Sequence, residues 1–304
     1  MKVIDVHAHI FPKCAGITDG APMTGDSYGR VRVGTQLRQL APPAFEQTRS
    51  TPETLLAYMD WLGIDRALLM PNPFYGYFND YIADAVKRWP ERFKGVALVN
   101  AIKGRQAADE LESLYRNTPL FGFKVEVKST FQCAPQLHMA SEELMPVWEC
   151  VNENRQSAFL HLFTDTDIVD LKLLIRRFPK ITWVLCHMGA DACFAPYARR
   201  EAFGELLELM RTHSNVYMDT STIAEYFYNN IGEEYPFPSA VARIREAAGV
   251  AGAEKLMYAS DYPGMLKCAT MEQLLNTTKK QCGFSGEELE LVMHGNAERL
   301  FFHD

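Results

Sequence analysis

The sequence lacks several features that would point to particular classes of protein. Its seven cysteines form no C-x-x-C pair, which argues against a zinc ribbon and against a disulfide framework. Acidic residues outnumber basic ones by 38 to 31, so there is no basic surplus for binding nucleic acid. No apolar run reaches membrane-spanning length, and the first residues leave no room for a secretory signal. We therefore predict a soluble, cytoplasmic protein with reduced thiols whose partner is a small molecule, with no nucleic acid and no membrane.

Eight short strand-like runs alternate with segments of helical periodicity along the 304 residues. Strict alternation of this kind favours a parallel sheet. No glycine-rich phosphate loop follows the first run, which weakens the option of an open nucleotide-binding sheet. We predict an α/β protein with a (β/α)8 TIM barrel, in which residues 1–304 form one domain. The predicted strands are 2–10, 66–70, 93–99, 121–127, 158–163, 181–187, 216–219 and 255–259.

Two connections of this barrel stand out from the ordinary loops. Residues 11–50, after the first strand, are rich in glycine, proline and polar residues and too long for a usual connection, so they predict either a lid or a poorly ordered loop. Residues 71–78, after the second strand, carry four aromatic side chains at the predicted barrel mouth. Phe74 and Tyr75 in this loop are candidate contacts for a flat substrate, although aromatics here could instead only cap the core.

The first strand carries an alternating pattern of polar and apolar residues. Because successive side chains of a strand point to opposite faces, Asp5, His7 and His9 are expected on one face, with Ile4 and Val6 on the other. An inward polar face is costly in a sealed core, but two imidazoles one residue apart can chelate one metal ion. His7 and His9 are therefore candidate metal ligands.

Other predicted strands end in residues of similar chemistry. His161 ends strand five, His187 ends strand six and Asp261 follows strand eight. Active sites of these barrels form at the carboxyl ends of the strands, so the three side chains should converge with His7 and His9. His161 is a candidate metal ligand, and Asp261 a candidate ligand that also exchanges a proton. His187 could bind a second metal, polarise the substrate or only form a hydrogen bond in the barrel; we favour the polarising role.

Lys124 on strand four leaves three interpretations open. It could be a carbamylated ligand between two metals, a cation that binds a substrate carboxylate, or an ion-pair partner of Glu126. We rank substrate binding and structure above carbamylation. Cys186 directly precedes His187 and is therefore expected to face outward toward the helices as a small buried hydrophobe.

Taken together, the motifs along the chain form a recognisable pattern. The motifs are Asp5-Val6-His7-Ala8-His9, Gly122-Phe123-Lys124, His161, Arg176-Arg177-Phe178-Pro179, Cys186-His187-Met188-Gly189, Asn215-Val216-Tyr217-Met218-Asp219-Thr220-Ser221, Ser260-Asp261-Tyr262-Pro263 and Gly295-Asn296-Ala297-Glu298-Arg299-Leu300. This pattern resembles the amidohydrolase superfamily, specifically its amidohydrolase-2 branch, and it covers nearly the whole chain.

The resemblance implies a metal enzyme in which His7, His9 and His161 hold a divalent ion, zinc or manganese, with Asp261 as a further ligand and acid/base. His187 would orient or polarise the substrate. We predict a hydrolase that activates metal-bound water to attack the carbonyl of a lactone, amide or related bond. The alternative is a non-oxidative decarboxylase of an aromatic or unsaturated acid. A carboxylated substrate is expected from Lys124 and from Arg199 or Arg200. Substrate identity and the state of association, monomer or homo-oligomer, stay open.

Overall fold

The structure is a computed structural model that describes residues 1–302, and it contains two separate β-sheets. The larger sheet has eight parallel strands in the order β1-β6-β7-β8-β9-β10-β11-β12. Backbone hydrogen bonds join its two ends, from Val6 N–H to Tyr258 O at 3.1 Å and from His9 N–H to Tyr262 O at 2.7 Å. The predicted (β/α)8 barrel is thus confirmed. The strands are β1 (Ile4–Ala8), β6 (Arg66–Leu69), β7 (Phe93–Ala97), β8 (Leu120–Glu126), β9 (Ser157–His161), β10 (Thr182–Leu185), β11 (Val216–Asp219) and β12 (Leu256–Met257).

Helices connect the strands and cover the outside of the barrel. The first of them is capped at both ends, since the Thr51 side chain accepts a hydrogen bond from Thr54 N–H and Gly63 ends the helix with a φ of 69°. None of the helices in the described part of the chain is long and apolar enough to cross a membrane. They are α1 (Pro52–Leu62), α2 (Asn79–Arg88), α3 (Arg105–Asn117), α4 (Val127–Phe131), α5 (Met145–Glu153), α6 (Asp165–Arg177), α7 (Ala190–Phe194), α8 (Ala202–Thr212), α9 (Ile223–Ile231), α10 (Pro238–Ala251), α11 (Met271–Asn276), α12 (Gly286–Glu290) and α13 (Asn296–Phe301).

A β-bulge in β1 sets the direction of the two histidines that follow it. Asp5 pairs with Ala67, but Ala8 pairs with Leu69, so β1 has one residue more than β6 over this stretch. Ile4 and Val6 pack in the apolar barrel interior, whereas Ala8 packs in the layer between strands and helices. The expectation that Ile4 and Val6 lie on the face opposite to the histidines is therefore wrong. Ile4 and Val6 face the barrel interior, and the bulge allows His7 and His9 to turn toward the site as well.

The smaller sheet lies in the insertion after β1. It is antiparallel, in the order β2 (Ile17–Thr18), β3 (Ala21–Gly25), β4 (Arg30–Val33) and β5 (Gln36–Gln39), and we call residues 17–39 the lid sheet. The Asp19-Gly20 turn, with φ of 50° and 72°, is the two-residue type that closes a hairpin. The insertion after β1 is present as predicted, but the alternative of a poorly ordered loop is wrong, because this turn and the inward alternation of Met23, Val31 and Val33 build a sheet with a core of its own.

The lid sheet crosses the barrel mouth and is fixed on both sides. On the side of the loop after β6, Ala15 N–H, just before the sheet, donates to Tyr75 O at 2.8 Å. On the side of the loop after β8, the far side, the Gln132 amide accepts from Gly20 N–H and donates to Ile17 O, both at 3.0 Å. Gln132 follows α4, which follows β8. The sheet therefore connects the aromatic loop after β6 with the loop after β8.

Candidate metal centre and cavity

Three of the residues predicted as metal ligands lie together at the carboxyl ends of the strands. The donor atoms of His7, His9 and Asp261 all lie within 4.8 Å of one another. His9 Nε2 is 2.9 Å from Asp261 Oδ1, and His7 Nε2 is 3.8 Å from the same oxygen. Both imidazoles are buried. Residues from opposite ends of the chain therefore meet at one point. We call the expectation that predicted this, that functional residues lie at the carboxyl ends of the strands, the strand-end rule.

Asp219 at the end of β11 determines which nitrogen of His7 is free. Burial alone would raise the pKa of Asp219, but the contact with His7 and the hydrogen bond from Ser221 hold it below its ordinary value. This carboxylate accepts from His7 Nδ1 at 2.9 Å, so the ring hydrogen is on Nδ1. His7 Nε2 then carries a lone pair, is buried and has no hydrogen-bond partner in the described residues. Burial, with the nearby Lys124 charge, lowers the pKa of His7 to about 4, so the ring is neutral.

A similar argument applies to His9. Its Nδ1 lies 2.7 Å from Met70 O, and a carbonyl oxygen can only accept, so Nδ1 is the donor. Burial would raise the pKa of Asp261, but the contacts with His9 and His7 hold it well below its ordinary value. With its Nδ1 hydrogen directed at Met70, His9 places Nε2 2.9 Å from a carboxylate oxygen of Asp261, a distance that requires a proton or a cation between the two atoms. With His7 Nε2, these three acceptors fit a divalent cation.

His187 presents a hydrogen-bond acceptor to the cavity rather than a donor. The one hydroxyl hydrogen of Ser221 goes to Asp219, so Ser221 Oγ must accept from His187 Nδ1, 2.7 Å away. Burial and the neighbouring His161 hold the pKa of His187 well below its ordinary value, so the ring carries only this one hydrogen. The predicted carbonyl-polarising role needs an N–H at Nε2, and this geometry does not favour it.

His161 lies beside this group but points elsewhere. Its ring centre is 4.2 Å from that of His187, yet its Nε2 is 2.9 Å from Asp191 Oδ2 and its Nδ1 is 3.5 Å from Glu126 Oε1. It is not among the residues whose donor atoms come together with His7. The structure thus unites three of the four predicted ligands, and a metal-binding role for His161 stays a prediction.

Lys124 and Cys186 occupy the floor of the site. Cys186 packs with the interior side chains of the barrel, and Lys124 Nζ donates to its sulfur at 3.1 Å. The expectation that Cys186 faces the helices is therefore wrong, because Cys186 follows the inward-facing Val184 by two residues and alternation places both inside, whereas His187 leaves the strand geometry with a φ of 60°. The ion pair of Lys124 with Glu126 is not formed. Both Lys124 and Cys186 are fully buried.

A cavity of about 520 Å³ opens from the candidate metal ligands to the mouth. Phe74 and Tyr75 line it as predicted, and Lys124 does not. Tyr75 stacks on Phe11 with ring centres 4.2 Å apart and contacts His9, so the aromatic loop forms one wall. The other lining side chains that bear on the chemistry are His9, Glu126, Lys128, His161, Phe163, His187, Asp191, Tyr197, Thr222, Glu225, Tyr226, Asp261 and Lys267.

Backbone strain is concentrated around this cavity. His187, Thr222 and Asp261 have φ of 60°, 60° and 53°, a region that residues with a Cβ rarely adopt. Thr222 uses its position to donate from Oγ1 to Asp261 Oδ2 at 2.6 Å. Such conformations persist only where the surroundings enforce them, and they cluster at functional sites.

Sequence reasoning missed several residues that orient the site. Asp219 ends β11 in the same way that His161 ends β9, so the strand-end rule could have identified it. Ser221 and Thr222 lie in the loop after β11, and Asp191 lies in α7; the placement of Thr222 and Asp191 depends on left-handed backbone that no sequence pattern predicts.

Comparison with solved structures gives the same fold over the whole chain. A probable 2-pyrone-4,6-dicarboxylic acid hydrolase from Acinetobacter baumannii, with citric acid bound, shares 19% identity with a TM-score of 0.69, covering 100% of both chains. An amidohydrolase from Burkholderia multivorans, seen with HEPES and with zinc, shares 16% identity over 100% of both chains, with TM-scores of 0.75 and 0.72. A dihydroxybenzoic acid decarboxylase from Polaromonas, with manganese and 2-nitroresorcinol, shares 18% identity at a TM-score of 0.62, covering 82% of this chain and 85% of its own.

These identities are too low to show more than the fold, and no curated protein matches the chain in sequence. The family assignment comes instead from a family profile, described as amidohydrolase, that matches residues 4–302. With its barrel, its histidines on β1 and its aspartate after β12, the chain belongs to the amidohydrolase family, in the amidohydrolase-2 group.

Proposed function

We propose that the protein is a metal-dependent hydrolase in which His7, His9 and Asp261 hold a divalent cation. The observation that carries the proposal is the buried, unpartnered Nε2 of His7, directed at the point where His9 Nε2 and Asp261 Oδ1 face each other. Solved neighbours hold zinc or manganese, and imidazole with carboxylate suits either ion. A cation bound there supplies Lewis acidity that polarises an oxygen and makes water more acidic.

Two side chains, His187 and Asp261, can then act on the attacking water and transfer its proton. His187 Nε2 has a lone pair and lines the cavity, so it can accept a hydrogen bond from the attacking water and orient it. Asp261 is a carboxylate held by Thr222, and it can accept a proton at Oδ2 and return it to the leaving group. Both groups lie at the end of the cavity where the attacked carbonyl of a lactone, amide or related bond would be placed.

A second candidate reaction is non-oxidative decarboxylation of a planar acid. It is favoured by the aromatic wall of Phe74 and Tyr75, which fits a flat ring. In that reaction Asp261 would deliver a proton to carbon as carbon dioxide leaves. The same donor set and cavity serve both reactions, so the product distinguishes them.

The first experiment measures metal content per chain in protein purified without chelator. We expect about one equivalent, lost when His7 and His9 are both changed to alanine. His138→Ala, which alters an exposed histidine outside the cavity, is the matched control and should retain the metal, whereas His161→Ala tests whether His161 is the predicted further ligand. No metal in the unaltered protein would overturn the proposal. Metal lost from His161→Ala as well would restore His161 as a ligand.

The second experiment assays the metal-loaded protein against lactones, amides and aromatic carboxylic acids. Ring opening or amide cleavage supports hydrolysis, whereas release of carbon dioxide supports the second candidate. Turnover by the metal-free protein at the same rate would contradict both.

A further inference from the structure

Asp191 lines the same cavity as Asp261 and lies beside His161, outside the group formed by His7, His9 and Asp261. Three consecutive left-handed residues, His187, Met188 and Gly189, with φ of 60°, 55° and 64°, turn the chain between the end of β10 and the start of α7. Asp191 in α7 thereby reaches His161, which bonds only its Oδ2. Its Oδ1 has no hydrogen-bond partner in the described part of the chain, and the side chain is 34% exposed at the cavity.

The positively charged side chains that line this cavity are already paired with carboxylates. Two lysines line it, and both are paired with carboxylates: Lys267 with Glu225, and Lys128 with Asp19 at 3.5 Å. No arginine is among the lining residues that the structure describes. Arg199, considered earlier for binding a carboxylate, instead donates to Asp165 and Glu205 outside the cavity. The protein side chains therefore offer a free acceptor but no free cation.

From these observations we propose that Asp191 is a specificity-determining residue, which binds a hydrogen-bond-donating substituent of a planar substrate. The donor is a hydroxyl, an amide N–H or an ammonium group on the part of the substrate that lies beside His161. The inference rests on the proposed function in placing the reacting bond beside Asp261. It differs from the carboxylated substrate predicted from the sequence, because Lys124 is sealed beneath the cavity and Arg199 lies outside it.

The walls beside His161 support a planar group. Phe163 stacks on His161 with ring centres 4.2 Å apart and planes inclined by 30°. Tyr197 donates from its hydroxyl to Phe163 O at 3.3 Å and lines the same part of the cavity. In this arrangement His161 contacts one oxygen of Asp191, and the other oxygen is left for a ligand.

The test uses three ring-matched amides that differ only at the meta position: 3-(hydroxymethyl)benzamide, 3-(aminomethyl)benzamide and 3-carboxybenzamide. Binding to the protein is measured by calorimetry, with and without bound zinc. We expect the hydroxymethyl and aminomethyl compounds to bind about 10-fold more tightly than the carboxy compound, as for a hydrogen bond to a charged acceptor. Asp191→Ala should remove this preference, and Asp191→Asn should reduce it mainly for the aminomethyl compound. Glu201→Ala, which alters an exposed carboxylate outside the cavity, is the matched control.

Several outcomes would overturn the inference. One is equal or tighter binding of the carboxy compound by the unaltered protein. Another is an unchanged order of affinities in Asp191→Ala, and a third is no measurable binding of any of the three. Failure of the proposed function is seen separately, as absence of metal and absence of turnover, and leaves the order of the three affinities measurable. Unchanged zinc content in Asp191→Ala and Asp191→Asn shows that neither acts by disturbing the metal ligands.

Discussion

The barrel wall and the lid sheet are built in opposite ways around the same cavity. In the barrel, His7 and Asp261 come from opposite ends of the chain and are fixed by parallel strands and buried hydrogen bonds. In the lid sheet, neighbouring hairpins pair locally, and every residue of its outer strand β5 is exposed. Local pairing needs little support from the rest of the fold, whereas long-range placement depends on all eight strands.

This difference indicates a division of tasks. Groups that must keep sub-ångström positions lie on the barrel, where packing and partners fix each rotamer. The lid sheet supplies cover, and it is attached by a few hydrogen bonds that can open without disturbing the strands.

The largest effect is expected from a change to the proton-exchanging group on the barrel. Asp261→Asn should lower kcat by at least about 100-fold, because the amide cannot accept a proton. Asp60→Asn, an exposed aspartate on α1, should leave kcat unchanged. Steady-state kinetics on any substrate found in the panel measure this, with thermal unfolding as a check of the fold. Near-normal kcat in Asp261→Asn would remove Asp261 from the reaction.

The second prediction concerns Asp219, the barrel residue that orients the candidate metal ligand His7. Asp219→Asn loses the carboxylate that holds the hydrogen on His7 Nδ1, so zinc affinity should fall by about 10- to 100-fold. Competition with a chromophoric chelator gives the dissociation constant. Asp60→Asn again serves as the control, and an unchanged affinity in Asp219→Asn would mean that packing alone orients His7.

A pair of identical substitutions compares the two regions directly. Leu68→Ala in the barrel interior should lower the free energy of unfolding by about 2–5 kcal/mol. Leu40→Ala, in the small core that Leu40 shares with the lid sheet, should lower the free energy of unfolding by less, because that core can open locally. Chemical denaturation measures both. If residues 1–304 form one domain, as we propose, both variants unfold in a single transition, and equal losses would contradict the distinction between the regions.

The smallest effect concerns the far attachment of the lid sheet. Gln132→Ala removes the hydrogen bonds to Gly20 and Ile17, so amide exchange in residues 17–25 should speed up by about 5- to 10-fold, as for the loss of roughly one hydrogen bond. Exchange in the barrel strands should stay the same. Gln47→Ala, an exposed glutamine of the same insertion, is the control. Unchanged exchange in Gln132→Ala would show that packing alone holds the sheet in place.

Much of the barrel could be predicted from its sequence, because period-two and helical patterns alternate without interruption. The strand-end rule placed His7, His9 and Asp261 together correctly, since carboxyl ends of parallel strands must share one face. The direction of His161 was beyond this rule, because it depends on Asp191, which arrives through three left-handed residues. The lid sheet was missed although the Asp19-Gly20 turn was visible, because its strands are short and largely exposed.

The base of the insertion has a consequence for the history of this fold. Phe11 and Ser50 exchange both backbone hydrogen bonds, at 2.8 and 3.0 Å, so the segment leaves and re-enters the barrel through adjacent positions. A segment with adjoining ends can be lengthened, shortened or replaced without moving the strand that carries His7 and His9. Evolution can therefore replace the segment that covers the cavity without changing the residues of the reaction centre. In protein design, the corresponding segment of a different relative could be inserted between Phe11 and Ser50.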